Sequence, residues 1–197
     1  MIDISNIPEN SAILIIGKPL SNKKKVIYNL ILKNLKKGNP ILYITTDHFP
    51  KEIESDLQKN KIQYKKYEKQ GDLIFIDCYS AQTNSSISST KIVKKVPGPL
   101  ALNEISVALS EIESSFYRKN KKPVIIFQSL STMLIYSKPE AIQRFVQVII
   151  AKVKKAGSSI FFTIEEGMHD KKTIIGLEHL MNGIIEIKNK KPKLKLI

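Results

Sequence analysis

One cysteine, no tryptophan and two arginines, Arg118 and Arg144, are all that 197 residues hold of these three types. A lone Cys78 cannot close an internal disulfide, and with only three scattered histidines it offers no zinc-ligand spacing. Redox chemistry and a bound metal are therefore not expected. Long apolar runs are missing as well. Runs such as Val124 to Phe127 and Ser159 to Ile164 fall far short of the roughly 20 residues that cross a bilayer, so no membrane span is expected. Met1-Ile2-Asp3-Ile4-Ser5-Asn6 lacks a basic start followed by an apolar stretch, which predicts no secretory signal and a cytoplasmic location. The shortage of arginine also qualifies the charge. Lys+Arg 32 against Asp+Glu 18 gives +14, almost all of it lysine. Arginine is the residue suited to bidentate contact with phosphates and guanine edges, so any nucleic-acid contact should be nonspecific. An AT-rich genome, which places lysine on any solvated face, accounts for the same excess.

What is present is a chain with 42% apolar and 25% charged residues, enough for one folded domain, 1–197, with a real core. Runs of strand length alternate with segments of helical period, the pattern of an α/β fold with a mainly parallel sheet. Predicted strands are Ala12 to Ile16, Ile41 to Thr45, Leu73 to Asp77, Val124 to Phe127 and Ser159 to Ile164. Gly183 to Lys188 and Lys193 to Ile197 read as a closing hairpin. Helical stripes fall at Val26, Ile27, Leu30, Ile31 and Leu35; at Ile105, Ala108, Leu109, Ile112 and Phe116; and at Ile142, Phe145, Val146, Ile149 and Val153. Shorter helices are expected from about Lys51 to Asn60 and around Leu177 to Met181. Ser137-Lys138-Pro139-Glu140 has capping-box spacing with Ser137 as the cap. Ser80 to Ser89 is polar and long for a connection, and the 80–98 stretch reads as a functional or mobile loop.

In open α/β sheets ligands bind beyond the carboxyl ends of the strands. The first such turn, Gly17-Lys18-Pro19-Leu20-Ser21-Asn22-Lys23-Lys24, has the length and place of a phosphate-binding loop. Gly17 and Lys23 stand in register with the motif, Asn22 replaces its second glycine, and Lys24 replaces the hydroxyl residue that would hold Mg²⁺. Asn22 is expected to supply a left-handed backbone there. Three lysines, Lys23, Lys24 and Lys25, crowd a helix N-terminus, an arrangement favoured if an anion sits among them and otherwise a solvated lysine face. His48 and His169, in turns after strands, read as solvated; Cys78 reads as a small core residue.

That loop resembles the G-x-P-G-S-G-K-T sequence of KaiC-like members of the RecA superfamily. Ile41 to Asp47, Leu73 to Ser80, Val124 to Ser131 and Gly167 to Ile187 resemble further segments of the family in the same order, most like its compact archaeal relatives. The resemblance implies a three-layer RecA-like P-loop NTPase fold, a mainly parallel sheet with helices on both faces and a C-terminal hairpin. It implies a phosphate site of Gly17, Ser21, Asn22, Lys23 and Lys24, and it puts Asp47 where the family has the acid that activates water. The alternative for Asp47 is a cap of the following helix. Gln128 stands at the Walker B aspartate and Asn182 at a late family Asp, so both anchors of the metal, at Lys24 and Gln128, are changed. The implied site is a degenerate one: ATP or another phosphate ligand is held weakly and without magnesium, by a non-hydrolytic regulatory or assembly module. An active ATPase with unusual ligands, or a module on single-stranded DNA, are the alternatives. Rings and filaments in the family imply a homo-oligomer or a related KaiC/RecA-like ATPase as partner, with Arg144 available to a neighbour's site or simply on the helix surface.

Overall fold

The computed structural model describes residues 7–83 and 89–197. The amino-terminal segment read for a signal, and 84–88 of the polar tract, lie outside the described residues. The chain runs β1 (Ala12–Gly17), α1 (Lys23–Lys36), β2 (Ile41–Thr45), α2 (Pro50–Lys59), α3 (Tyr64–Gln70), β3 (Leu73–Asp77), β4 (Val93–Lys95), α4 (Leu102–Tyr117), β5 (Val124–Gln128), α5 (Leu130–Tyr136), α6 (Pro139–Lys155), β6 (Ser159–Glu165), α7 (Lys171–Glu178), β7 (Gly183–Lys188) and β8 (Lys191–Leu196).

All eight strands join one sheet in the order β4-β3-β2-β5-β6-β1-β7-β8. Every neighbouring pair is parallel except β7 with β8, which form a hairpin through Asn189 and Lys190, both at positive φ. The inner strands are apolar at most positions and buried at nearly all, because both sheet faces are covered. In β1, Ala12, Leu14 and Ile16 face a core shared with α4, α5, α6 and α7, whereas Ile13 and Ile15 face one shared with α1, α2 and α3. The result is a three-layer α/β fold, as expected. Among the described residues no helix is long and apolar enough to cross a membrane.

Several local expectations are corrected. Lys138, not Ser137, occupies the cap position of α6, and no side chain bonds there; Pro139 begins the helix with its φ already set. The helix expected around Leu177 to Met181 is α7, which begins at Lys171 because the Asp170 carboxylate accepts the Thr173 N–H and caps it. The 80–98 stretch is not loop throughout: a 3₁₀ turn covers Ser80–Thr83, and β4 pairs with β3. Because the central strands run the same way, the turns after β1, β2, β5 and β6 gather at one end of the sheet, with β6 between β5 and β1.

Candidate functional site

Gly17 closes β1 where a side chain would not fit: a Cβ there would lie 2.8 Å from Ser21 Oγ and 3.0 Å from Ile187 Cβ. The chain then turns tightly, with Ser21 N–H donating to the Lys18 carbonyl at 3.1 Å. The left-handed residue of this turn is Leu20, at φ +61 and fully exposed. The expectation for Asn22 is therefore corrected. Its φ is −74, and its side-chain amide reaches across to the hairpin, donating to the Lys190 carbonyl at 2.9 Å.

Lys23 opens α1 with its side chain turned inward and only 7% of the residue exposed. Its ammonium meets the Gly17 carbonyl at 2.8 Å, the Lys18 carbonyl at 2.7 Å, Ser21 Oγ at 3.2 Å and Glu165 Oε2 at 2.7 Å. An ammonium has three hydrogens, so these four acceptors occupy it fully. Glu165, the last residue of β6, is fixed in turn: its N–H donates to Ser131 Oγ at 2.8 Å, and Ser131 Oγ lies 2.9 Å from Nε2 of His169. Burial holds the His169 imidazole below its ordinary range. Lys24 points away, its amine 3.1 Å from Asp56 on α2, a carboxylate that also accepts the Tyr28 hydroxyl.

A second polar cluster lies across β6. Gln128 ends β5 opposite Thr45, and its amide nitrogen donates to Asp47 Oδ1 at 3.2 Å while its carbonyl accepts the Tyr43 hydroxyl. Asp47 Oδ1 is 2.7 Å from Nδ1 of His48. The hydrogen bond to Asp47, aided by its charge, holds the His48 imidazole above its ordinary range against the opposing effect of burial. Burial raises the Tyr43 phenol well above its ordinary value, so it stays a donor. The peptide between Gln128 and Ser129 is cis, and Thr46 Oγ1 bonds both the carbonyl and the N–H of Ser129 at 2.8 Å.

The structure thus gathers Gly17, Ser21 and Lys23 in one cluster and Asp47 with Gln128 in another, while Lys24 and Asn22 turn elsewhere. Asp47 does not cap the following helix, whose cap position is Phe49. His48 and His169, read as solvated, are members of these clusters. Arg144 lies exposed on α6 with its Nε 3.4 Å from the Glu140 carbonyl, and Cys78 is fully buried. Glu165, Ser131 and Tyr43 escaped the sequence reading. Glu165 left a signal, an acid closing a buried apolar strand at the sheet end where ligands bind; Tyr43 left none.

A magnesium ion does not fit the residues present at the positions the resemblance assigns it. The Gln128 carbonyl oxygen is taken by Tyr43, Lys24 is a cation, and Asp47 is engaged by Gln128 and His48. Among the described residues no three His, Cys, Asp or Glu side chains are grouped to hold a metal.

Comparison with known proteins places the chain among relatives. The family model described as "ATPase: KaiC" matches residues 2–196. A UPF0273 protein of Methanopyrus kandleri is 23% identical over 184 residues, 92% of this chain and 69% of the relative. One from Sulfurisphaera tokodaii is 26% identical over 187 residues, 92% of this chain and 62% of the relative. The chain therefore spans somewhat under two thirds to just over two thirds of these relatives' length. Among solved structures, a KaiC-like protein of Pyrococcus horikoshii superposes with a TM-score of 0.69 at 15% identity, covering 95% of this chain and 77% of that one. An uncharacterized protein of the same organism, solved in complex with an unknown peptide, gives 0.77 at 17% identity, covering 99% and 86%. Both show the fold.

Proposed function

This chain belongs to the KaiC ATPase family, and from that premise we propose that it is a non-hydrolytic regulatory or assembly module. Its first loop takes ATP or another phosphate ligand weakly and without magnesium. One observation carries this reading: the Lys23 ammonium is wholly occupied inside the protein, with the Glu165 carboxylate 2.7 Å away where an anionic ligand would compete for it. A phosphate must displace that carboxylate before Lys23 can serve it, which lowers affinity by the strength of the pair. Two further features support the reading. Gln128 brings no negative charge to attract a dication, and Asp47, the residue in register with the family's water-activating acid, is tied to His48 and Gln128. As an assembly module it would act with a second copy of itself or with a related KaiC-like ATPase.

Calorimetric titration with ATP, with and without Mg²⁺, tests the proposal alongside an assay for released phosphate. The expected outcome is weak binding unchanged by Mg²⁺ and no release above that of the Asp47→Asn protein. Tight, magnesium-dependent binding with turnover that Asp47→Asn abolishes would establish the opposite reading, an active ATPase with Asp47 as its base.

A further inference from the structure

The hairpin edge carries a pattern that the nucleotide site does not use. β8 is the last strand of the sheet, and among the described residues no strand pairs with its outer side. The hydrogen bonds and the register settle which of its backbone groups face outward. Ile197 N–H donates inward to the Asn182 carbonyl, and alternation along an antiparallel pair turns residues 195, 193 and 191 inward as well. Residues 192, 194 and 196 therefore point their backbone outward. Pro192, which has no N–H to offer, sits at one of these outward positions, where proline is tolerated. Among the described residues the N–H groups of Leu194 and Leu196 are left free on the open edge.

The side chains alternate with equal regularity. Lys191, Lys193 and Lys195 stand on one face, about 6.8 Å apart. Glu186, opposite Lys193, engages Lys188 at 2.6 Å and Lys195 at 3.0 Å, so among the described residues Lys191 and Lys193 have no acidic partner. On the other face Leu194 packs on the core while Leu196 is 53% exposed.

Lysines and a proline on an edge strand are a known defence against edge-to-edge aggregation. Here the defence is selective. A second β8 would set lysine against lysine, which is unfavourable across a strand pair, whereas a strand with acids at alternate positions would pair with the lysines and lay its apolar residues along Leu196. We propose that the outer edge of β8 is a docking edge for an extended peptide that alternates acidic and apolar residues and joins the sheet as an added strand.

The test uses the full chain and three fluorescein-labelled probes at low salt: an eight-residue peptide alternating Glu and Val, a peptide of the same composition with its four Glu in one block, and an oligothymidylate of equal charge. Fluorescence polarisation should show the alternating peptide binding about tenfold more tightly than the block peptide. Leu196→Pro removes an outward N–H and no bond within the hairpin, so it should weaken the alternating peptide about fivefold with thermal melting unchanged. Lys193→Glu should weaken it about tenfold, and a probe in which one central Glu of the alternating peptide is replaced by Lys should recover part of that loss on the variant and none on the wild type. No binding of the alternating peptide, equal binding of both peptides, or tighter binding of the oligothymidylate that ignores Leu196→Pro would each overturn the proposal. None of these variants touches Lys23 or Glu165, so failure here leaves the reading of the nucleotide site as it was.

Discussion

The two polar clusters at the carboxyl end of the sheet are built in opposite ways. On the β1 side the protein supplies the Lys23 ammonium with its own anion, Glu165. On the β5 side an amide stands at the centre: Gln128 both donates to Asp47 and accepts from Tyr43. Both clusters are satisfied from within, yet by different physics. The first is held by a mostly buried ion pair, the second by directional hydrogen bonds around a single carboxylate. An ion pair leaves a strong unmet charge when one partner is removed, and that charge attracts an outside anion. An amide network leaves only a missing bond. The β1 cluster should therefore answer to ligands, and the β5 cluster to pH.

The largest expected effect comes from breaking the ion pair. Removing one partner of a buried pair costs about 3–5 kcal/mol, and since Glu165 is about a quarter exposed, Glu165→Gln should lose about 2 kcal/mol. For a chain of this size that lowers Tm by roughly 4–8 °C. Inorganic phosphate should restore much of the loss, because the bared Lys23 gains an external partner, and should do little for the wild type. A differential scan with and without phosphate reads both. Equal response of the two proteins would mean that Glu165 does not compete with anions.

Placing an acid at residue 128 in the other cluster should also destabilise, by about 1–2 kcal/mol at pH 7. In Gln128→Asp a carboxylate replaces the amide that now donates to Asp47 at 3.2 Å, and two like charges then share a largely buried space. Their mutual repulsion raises a carboxyl pKa in the folded state. The folded protein then binds more protons than the unfolded one, so the deficit should shrink as pH falls. If Mg²⁺ instead returned the variant to wild-type Tm, one missing charge would be all that separates this cluster from a metal site.

How much of this could be read from the residues depended on burial. Strands β2 and β3 lie where expected, and β1, β5 and β6 extend one residue further, because continuous apolar runs such as Ile41–Thr45 leave few alternatives. The short elements were hidden for physical reasons. In α3, Tyr64–Gln70, only Tyr64 is buried, so there is no stripe to see, and α5, Leu130–Tyr136, is two turns long and begins one residue after β5. The tight turn after β1 was legible from its place between a strand and a helix, but the direction of Lys23 was not. That direction depends on Glu165, 142 residues away, and is settled by tertiary packing.

Leu20 separates the two clusters more gently. It is fully exposed at φ +61, and a branched side chain gains nothing there to offset the strained backbone. Leu20→Gly should stabilise by about 0.5–1 kcal/mol, after the entropy that glycine adds to the unfolded chain is subtracted. Thermal melts should show a rise of roughly 1–4 °C. A fall would mean that Leu20 has a contact in solution that holds the loop.

The smallest effect is the one that isolates the amide cluster. The hydrogen bond from Asp47, aided by its charge, raises the His48 pKa above the ordinary imidazole value of about 6.5. A raised folded value means that the folded protein holds the proton more tightly, so this contribution is full below pH 6.5 and fades as pH rises through the folded value. The pair is partly solvated, with side chains 30% and 25% exposed, and its coupling should not exceed about 1 kcal/mol. A double-mutant cycle of Asp47→Asn and His48→Gln, read by denaturant titration at pH 5.5 and again at pH 8.5, should give a coupling that declines between the two. A coupling that stayed level would assign the 2.7 Å contact to a neutral hydrogen bond, and the contrast between a ligand-answering and a pH-answering cluster would then rest on Glu165 alone.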